Sequence, residues 1–468
     1  MYGQKRRILC LPLLTACLFA VQSGAQARDL SLADAVDMAL AANTGLRITR
    51  QGEHTADAAL KQARGRNGVS VSASDSVRWS KTNGETQQSS NGLNLSASLP
   101  LYTGGANQAS IQSGEIGAAA ARLTTERARE DLKYEVTAAY YNAVEALKKT
   151  EVQREAVGNY DAHLGNVTAL YEAGAQARID VLRSSVELSN ARQELISAEN
   201  AYEVNLATLR NLLNMDRGEE LHLTTDVSYV PFEKTVQDCI SYAYGNRHDL
   251  QVQKDTLAQR ELAVDIAKAG KKPTVNLTVG SGITRQFRPH NDTNRDVSAS
   301  VGVNWNIFDS GVTRAQIDAA EAERDTALLN VRQAEETIDL NLRKAYLNLR
   351  EAEKRFTATG DAVKQAEEDY FIASQRYRAG EGILLDVLDA QLALSKAKQN
   401  DINARYDYAR YRAQVENLMG EPLTAAERAA ADGLPEVTQA ERDSADAANL
   451  ATSAAVQMTV AKNEVPGK

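Results

Sequence analysis

The sequence is poor in cysteine, aromatic residues and proline, and each shortage excludes something. Of the three cysteines in 468 residues, Cys10 and Cys17 fall within the first 27 residues and leave Cys239 alone, so the remaining chain forms no internal disulfide. Aromatic residues make up only 5% of the chain, which is low for the compact core of an enzyme. No proline lies in residues 101–230 or 290–421. Because proline disrupts helix interiors, these two stretches are free to form long helices.

Long apolar runs are missing everywhere except at the start of the chain. Basic residues at 5–7 precede an apolar run at 8–21 and the segment "SGAQA", which is the order of a secretory signal cleaved after Ala27. A competing interpretation takes "LTAC" as a lipoprotein cleavage box with Cys17 acylated. No later segment approaches the 18 or more apolar residues of a membrane-spanning helix. The mature chain is therefore predicted to be exported, and any contact with a membrane must be made by other means.

The chain also lacks an excess of positive charge and any recognisable catalytic motif. Without the three basic signal residues it has 50 lysines and arginines against 62 acids, a formal charge of −12. This balance argues against nucleic acid as a partner, because phosphate binding needs a basic face. The five histidines are scattered, at His54, His163, His222, His248 and His290. With no HExxH motif, ligand-spaced carboxylate pair or nucleophile elbow, the sequence predicts no metal site, no cofactor and no enzyme activity.

An internal repeat organises the chain. Residues 99–214 match a second stretch at an offset of 206 without a gap, and the segments before them match more loosely near an offset of 204. This long match predicts a duplicated fold, with a first structural repeat at 28–228 and a second at 229–424. The Ala-rich and acid-rich remainder, 425–468, has few large apolar residues and is predicted to be disordered.

The proline-free stretches have the composition and spacing of long coiled-coil helices. They are rich in Ala, Leu, Glu, Gln, Lys and Arg, which are good helix formers. In the second repeat, large residues recur every seven positions with small residues beside them: Leu342, Leu349, Phe356, Val363, Tyr370 and Tyr377. A helix over residues 105–171 would be about 100 Å long at about 1.5 Å per residue, far longer than a globular domain needs.

Before each long helix, two segments alternate between apolar and small polar residues. Four strands are predicted, at 69–79, 93–101, 275–283 and 297–307. The break in the pattern is Asp75, which falls on the apolar face. Alternation of this kind is typical of outer-membrane barrel strands, although a soluble sheet with one buried face alternates in the same way.

The segments around these strands favour the membrane interpretation. Polar links at 80–92 and 284–296 are long enough for outer loops. Aromatic residues that would form a girdle lie near the strand ends: Trp79, Tyr102, Trp305 and Phe308. Four strands cannot close, since bacterial barrels need at least about eight. The chain must share strands with copies of itself; two copies would give a barrel filled by side chains, and three would give twelve strands and a lumen.

In combination, several motifs resemble those of the TolC family of outer-membrane channel-tunnels. The likeness covers about residues 30–420 and rests on "SLADAVDMALAANTGL", "LPLYTGG", "WNIFDSG", "YEAGAQARIDVLRSS" and "YRAGEGILLDVLDAQ". The resemblance implies a homotrimer with a twelve-stranded barrel in the outer membrane and a twelve-helix tunnel in the periplasm. It also implies a periplasmic adaptor protein, an inner-membrane transporter and outer-membrane lipid as partners.

The resemblance assigns roles at the periplasmic tip, where each long helix reverses. Asp386 and Asp389 lie where the family carries carboxylate rings at a narrow pore aperture. Tyr377 and Asp180 lie where the family ties neighbouring helices together to hold the aperture shut. Gly382 departs from the pattern, because members with that tie often have a basic residue there. The closure network of this chain is therefore expected to be weaker or differently built.

The acidic residues at the tip also have simpler interpretations. Asp180 and Asp386 occupy equivalent positions in the two repeats and open a helix, where exposed N–H groups and the helix dipole stabilise a carboxylate. Asp389 lacks this explanation, because the first repeat has Arg183 at that position. We predict that Asp389 lines a pore, with a solvated helix face as the alternative.

Gly174 and Gly380 are predicted to end the long helices in a left-handed conformation, and docking of the adaptor at these turns is compatible with that role. As a whole, the sequence predicts the passive exit duct of a tripartite efflux pump or type I secretion system, gated at its periplasmic tip. The alternative is an elongated periplasmic coiled-coil scaffold or adaptor without a pore, which leaves the strands unexplained.

Overall fold

The chain folds into two halves with the same order of elements. The computed structural model describes residues 28–81, 87–215, 221–288, 291–438, 440–442 and 444, so the predicted signal segment and Cys17 lie outside the described residues. The first half contains β1 (Arg28–Leu30), α1 (Leu32–Ala42), α2 (Thr44–Arg66), β2 (Ser70–Ser80), β3 (Gln88–Tyr102), α3 (Ala106–Glu172) and α4 (Arg178–Leu212). β4 (Leu221–Leu223) follows and pairs with β1. The second half contains α5 (Val236–Asn246), α6 (His248–Ala269), β5 (Thr274–Arg288), β6 (Asp292–Asn304), α7 (Val312–Arg378) and α8 (Leu384–Met419), and α9 (Ala425–Asp432) comes after it.

The two longest helices, α3 and α7, each have 67 residues. At about 1.5 Å per residue each is about 100 Å long, as the sequence predicts. Along the predicted seam of α7, Leu342, Ala345, Leu349 and Ala352 are almost completely buried. Large and small side chains therefore alternate along one packed face. Among the described residues, no helix combines the length and apolar character needed to cross a membrane.

The long strands form one antiparallel sheet in the order β2-β3-β5-β6. The register places Val71 opposite Ala97, Ala97 opposite Val279, and Val279 opposite Ala299. Because strand side chains alternate between faces, this register collects the predicted apolar residues on one face and the small polar residues on the other. The four predicted strands and their alternation are confirmed.

At their loop ends the strands extend further than the hydrophobic pattern predicts, so the predicted loops at 80–92 and 284–296 are too long. At the helix end, β6 stops at Asn304 and not at the predicted residue 307. β3 already begins at Gln88, and β5 and β6 reach Arg288 and Asp292. Ladder pairing continues through polar residues, with Gln286 opposite Asp292. The backbone hydrogen bonds of a ladder form whatever the side chains are. Strand ends predicted at the first polar residues are therefore wrong.

Each half also packs an apolar core beside its long helix, some distance along it from the sheet. In the first half the fully buried Tyr140 donates a hydrogen bond to the carbonyl oxygen of Leu30 and accepts one from the N–H of Thr225, both at 2.9 Å. β1 and β4 pair in parallel at this level. The second core contains Leu342, Leu349, Tyr408 and Met419. These cores join the start of each repeat to its helices.

The tail differs from the predicted disorder at its beginning. The segment after residue 424 starts with the ordered helix α9, in which Thr424 and Glu427 form a capping box. Ala431 and Leu434 are buried in the core of the first half, and Arg129 pairs with Asp432 at 3.1 Å. Two apolar contacts and a cap are sufficient to order a short helix whose composition alone suggests disorder. Residues 445–468 lie outside the described residues.

Candidate functional site

The two helical hairpins reverse at glycine turns. Gly174 has φ of 74° and Gly380 has φ of 75°, the left-handed region that side chains disfavour. After them, the N–H of Ala175 donates to the carbonyl of Leu170 at 2.8 Å, as the N–H of Glu381 does to that of Arg376 at 2.9 Å. Each turn thereby satisfies carbonyl groups that the end of a long helix leaves free.

Asp180 and Asp386 lie in the first turns of the helices that follow. Each is the third residue of its helix, in α4 and α8 respectively; Asp180 is half-buried and Asp386 is exposed. The N-cap residues Ala177 and Ile383 offer no side-chain cap. A first-turn carboxylate near these free N–H groups is stabilised by about 0.3–1 kcal/mol in general. This placement accounts for the same residue at both turns.

Asp389 lies one turn further along α8 and is also exposed. Between the two carboxylates, Val387 is buried at 2% exposure, and Ala390 follows at 4%. The packed side of the helix therefore faces away from Asp386 and Asp389, which share one solvent-exposed stripe. At the equivalent point of α4, Arg183 is exposed as well. The hairpins thus present charge of opposite sign at matched positions.

Tyr377 lies at the centre of the apolar cluster at the tip. It is 2% exposed and packs with Val167 of α3 and with Leu384 and Val387 of α8. Its ring centroid is 5.2 Å from that of His163. Burial and the nearby Asp180 carboxylate raise the pKa of the Tyr377 phenol. The phenol is therefore neutral in the physiological range.

Two buried polar atoms face this cluster without partners. Neither the hydroxyl of Tyr377 nor Nε2 of His163 has a hydrogen-bond partner among the described residues. Burial, together with the Arg378 charge, lowers the pKa of His163. A buried group without a partner is costly, so both side chains must be held by the packing around them. The sequence predicts no role for His163, because its spacing fits no ligand motif; only its tertiary contact with Tyr377 reveals one.

Gly382 leaves little room for a side chain. A Cβ at this position would lie 3.1 Å from the backbone nitrogen of Tyr377, and the N–H of Gly382 donates to the carbonyl of Arg376 at 3.2 Å. A basic residue here would require the turn to move by a few tenths of an ångström. The departure from the family pattern at Gly382 therefore coincides with a turn built around glycine.

The predicted aromatic residues lie at both ends of the sheet. Tyr102 ends β3, and Trp305 and Phe308 follow β6, all near the helices; Trp79 lies near the end of β2, beside the loops. All four side chains are exposed, Phe308 by 83%. Phe287, near the loop end of β5, is a further exposed aromatic residue that was not among the predicted girdle residues. Counting alternate positions from Ile283 would have found it.

The polar face of the sheet is built from small residues that make room for larger polar ones. A Cβ at Gly282 would lie 2.7 Å from Oδ1 of both Asn94 and Asp296. On the same face, the hydroxyls of Ser72 and Ser96 are 2.9 Å apart. This face is suited to water. Within the described ranges, no cluster of three or more His, Cys, Asp or Glu side chains could hold a metal ion.

Long helical hairpins that continue from a sheet with one apolar and one polar face define the class of outer-membrane channels that extend into the periplasm as helical tunnels. The chain belongs to the outer membrane efflux protein family, whose model matches residues 33–215 and 239–421, well over half of the chain. The protein is thus an outer-membrane exit duct for efflux, with its helices in the periplasm.

Relatives and solved structures agree with this assignment. The chain is similar to Protein CyaE of Bordetella pertussis, 27% identical over 386 residues that cover 80% of each protein. It is 22% identical to Outer membrane protein TolC of Escherichia coli over 316 residues, which cover 64% of this chain and 63% of that protein. It shares its fold with the Campylobacter jejuni CmeC outer membrane channel, with a TM-score of 0.75 at 19% identity over 86% of this chain and 90% of that one. The predicted family and fold class are confirmed.

Proposed function

We propose that three copies of this chain form one channel, the passive exit duct of a tripartite efflux pump or type I secretion system. The observation that carries the proposal is the four-stranded sheet, in which β2 and β6 each have one unpaired edge among the described residues. Unpaired edges with an apolar face are unstable alone, and twelve strands from three copies would close around a lumen. Its wall would be the polar face.

Exposed apolar side chains on the long helices support the same assembly. The large apolar residues left exposed on α4 and α7 in the single chain, away from the tip, include Ile196, Val204, Leu328, Leu329, Leu340 and Leu347. A monomeric protein rarely leaves so many along one element, so neighbouring copies are expected to cover them. Three helical hairpin pairs would then form a twelve-helix tunnel.

The tip is proposed to be the gate. In a trimer, Asp386 and Asp389 would form two stacked carboxylate rings at the aperture, and their field would favour cations. Tyr377 and Asp180 would hold the hairpins closed, through the buried contact of Tyr377 and the charge of Asp180 at the start of α4. Without a basic residue at 382, closure depends more on packing than on ion pairs.

The partners are proposed to be a periplasmic adaptor and an inner-membrane transporter. Beside the turns at Gly174 and Gly380, a cavity of about 570 Å³ between α4 and α8 is lined by Ile179, Leu182, Val186 and Leu385, among others. An apolar groove at the end of the tunnel fits an adaptor that would join the duct to a pump. The duct itself performs no catalysis in this proposal.

Cross-linking and single-channel recording test the assembly. In detergent, cross-linked products should stop at three chains, and the trimer should conduct in planar bilayers. A chain that stays in the soluble fraction without detergent, as an elongated monomer, would favour the periplasmic scaffold instead. A stable monomer with a closed barrel would also contradict the shared sheet.

Tag accessibility tests the orientation. Protease-sensitive tags within residues 82–86 or at 289–290 should be cut from outside intact cells, because both links join strands at the end of the sheet away from the helices. A matched tag after Gly174 should be cut only once the outer membrane is permeabilised. If the loop tags also require permeabilisation, the orientation is wrong.

A further inference from the structure

Two arginines interrupt the apolar face of the sheet at its loop end. Arg285 lies on β5 opposite Asn91 of β3, and Arg295 lies on β6 opposite Ile283. Counting alternate positions along β5 places Arg285 on the same face as Val275 and Ile283, and pairing places Arg295 there too. The two are diagonal neighbours, within reach of a shared ligand.

Neither arginine is neutralised within the described part of the chain. Both are exposed, and no ion pair joins either to a carboxylate there. Arg285 is 5.5 Å from the centroid of the Phe287 ring and donates a long hydrogen bond of 3.5 Å to Asn291. The acid on this face at the same height, Asp75, accepts a hydrogen bond from Asn91 at 2.8 Å. Within one copy it lies on the opposite edge strand, about 14 Å from Arg295 at about 4.8 Å per strand.

The height of the pair matches the edge of a membrane. Residues 275 to 285 span ten positions on β5, about 34 Å along the strand and about 26 Å along the normal for a tilt of about 40°. The apolar band of an outer-membrane barrel is about 25 Å tall. At the other end of the sheet, each strand is joined to a helix that would extend into the periplasm. The arginines therefore lie at the outer boundary of the apolar band.

We propose that Arg285 and Arg295 bind the phosphate headgroup of an anionic lipid in the outer leaflet. The inference rests on the proposed membrane orientation. Guanidinium groups bind phosphate through paired N–H donors, and the apolar residues below them, Ile283 and Val297, would contact the acyl chains. Among the described residues of this face at that height, the two arginines stand against one acid, Asp75, and leave an excess of positive charge in each copy.

Lipid binding to the detergent-solubilised trimer tests the site. Native mass spectrometry would compare lipid A carrying both phosphates with the same lipid after phosphatase treatment. The wild-type protein should prefer the phosphorylated lipid. Arg285→Gln and Arg295→Gln should each weaken its binding about fivefold, and the double variant about twenty-five-fold, from the usual attraction of one basic side chain to an anionic membrane surface. Arg295→Lys should retain part of the affinity.

Arg78→Gln is the matched control, because Arg78 lies near the loop end of β2 but on the polar face. It should leave lipid binding unchanged; an equal loss would overturn the site, as would equal binding of both lipids by the wild-type protein. Arg295→Gln and Asp75→Asn could instead both lower the melting temperature of the trimer without changing lipid preference. In that case Arg295 pairs with Asp75 of a neighbouring copy, and the lipid site is refuted. Failure of the wild-type protein to form conducting trimers would refute the proposed function rather than this inference alone.

Discussion

Asp389→Asn is the most informative substitution at the proposed gate. Asp386 and Asp389 lie three residues apart, so their rings in a trimer would be separated by about 4.5 Å along the helix axis. Asparagine keeps the size of the side chain and removes one charge per copy. Three of six carboxylates are therefore lost, while the buried neighbours Val387 and Ala390 are untouched.

The expected effect is large enough to measure. For a carboxylate about 6 Å from the pore axis, the Coulomb energy of a monovalent cation on the axis is about −0.7 kcal/mol in bulk water, so three carboxylates contribute about −2 kcal/mol. Screening in about 0.1 M salt leaves about half of this, since the Debye length is about 10 Å. We therefore expect cation entry to fall and anion entry to rise about fivefold each, so that the cation-to-anion permeability ratio falls about 25-fold. Affinity for a blocking trivalent cation should fall on the order of a hundredfold, because its energy in the same potential is three times larger.

Reversal potentials and block in planar bilayers measure both quantities. Arg183→Gln is the control for removing a charge at the matched position of α4, and it should not reduce cation preference. Asp180→Asn should instead loosen closure and raise conductance with less change in selectivity. If Asp389→Asn leaves selectivity and trivalent block at wild-type levels, the ring assignment fails and Asp389 is a solvated carboxylate on a helix face.

Two further predictions concern the stability of the tip. Because burial lowers the pKa of His163, its neutral form stabilises the tip fully above about pH 6.5, and this contribution is lost as pH falls toward the lower folded-state value. Amide protection near the end of α3, corrected for the intrinsic pH dependence of exchange, should therefore be lower at pH 5 than at pH 7.5. His163→Gln should remove this pH response and the exposed control His54→Gln should keep it; a response that survives His163→Gln would contradict the assignment. Gly380→Ala should destabilise the tip by about 1–2 kcal/mol because φ is 75° there, whereas Gly360→Ala inside α7, with open space around it, should not lower the melting temperature; equal effects would contradict the strain argument.

Much of the fold was predictable because its signals are periodic. Alternation of apolar and polar residues over 69–79 and 275–283 located two strands. The seven-residue repeat of large residues from Leu342 located the buried seam of α7. Strand ends were predicted poorly, since ladder hydrogen bonds extend through polar residues such as Gln286. Helix α9 was missed because two buried side chains and a capping box, not composition, order it.

The sequence by itself determined the duplication, the long helices, the two-faced strands and the glycine turns at 174 and 380, because each depends on neighbours along the chain or on one backbone angle. Only the tertiary structure decided that His163 meets Tyr377 and that Arg285 and Arg295 share one face. These contacts join residues far apart in sequence or depend on strand register. Periodicity is local, whereas register and packing are fixed by the whole assembly of elements.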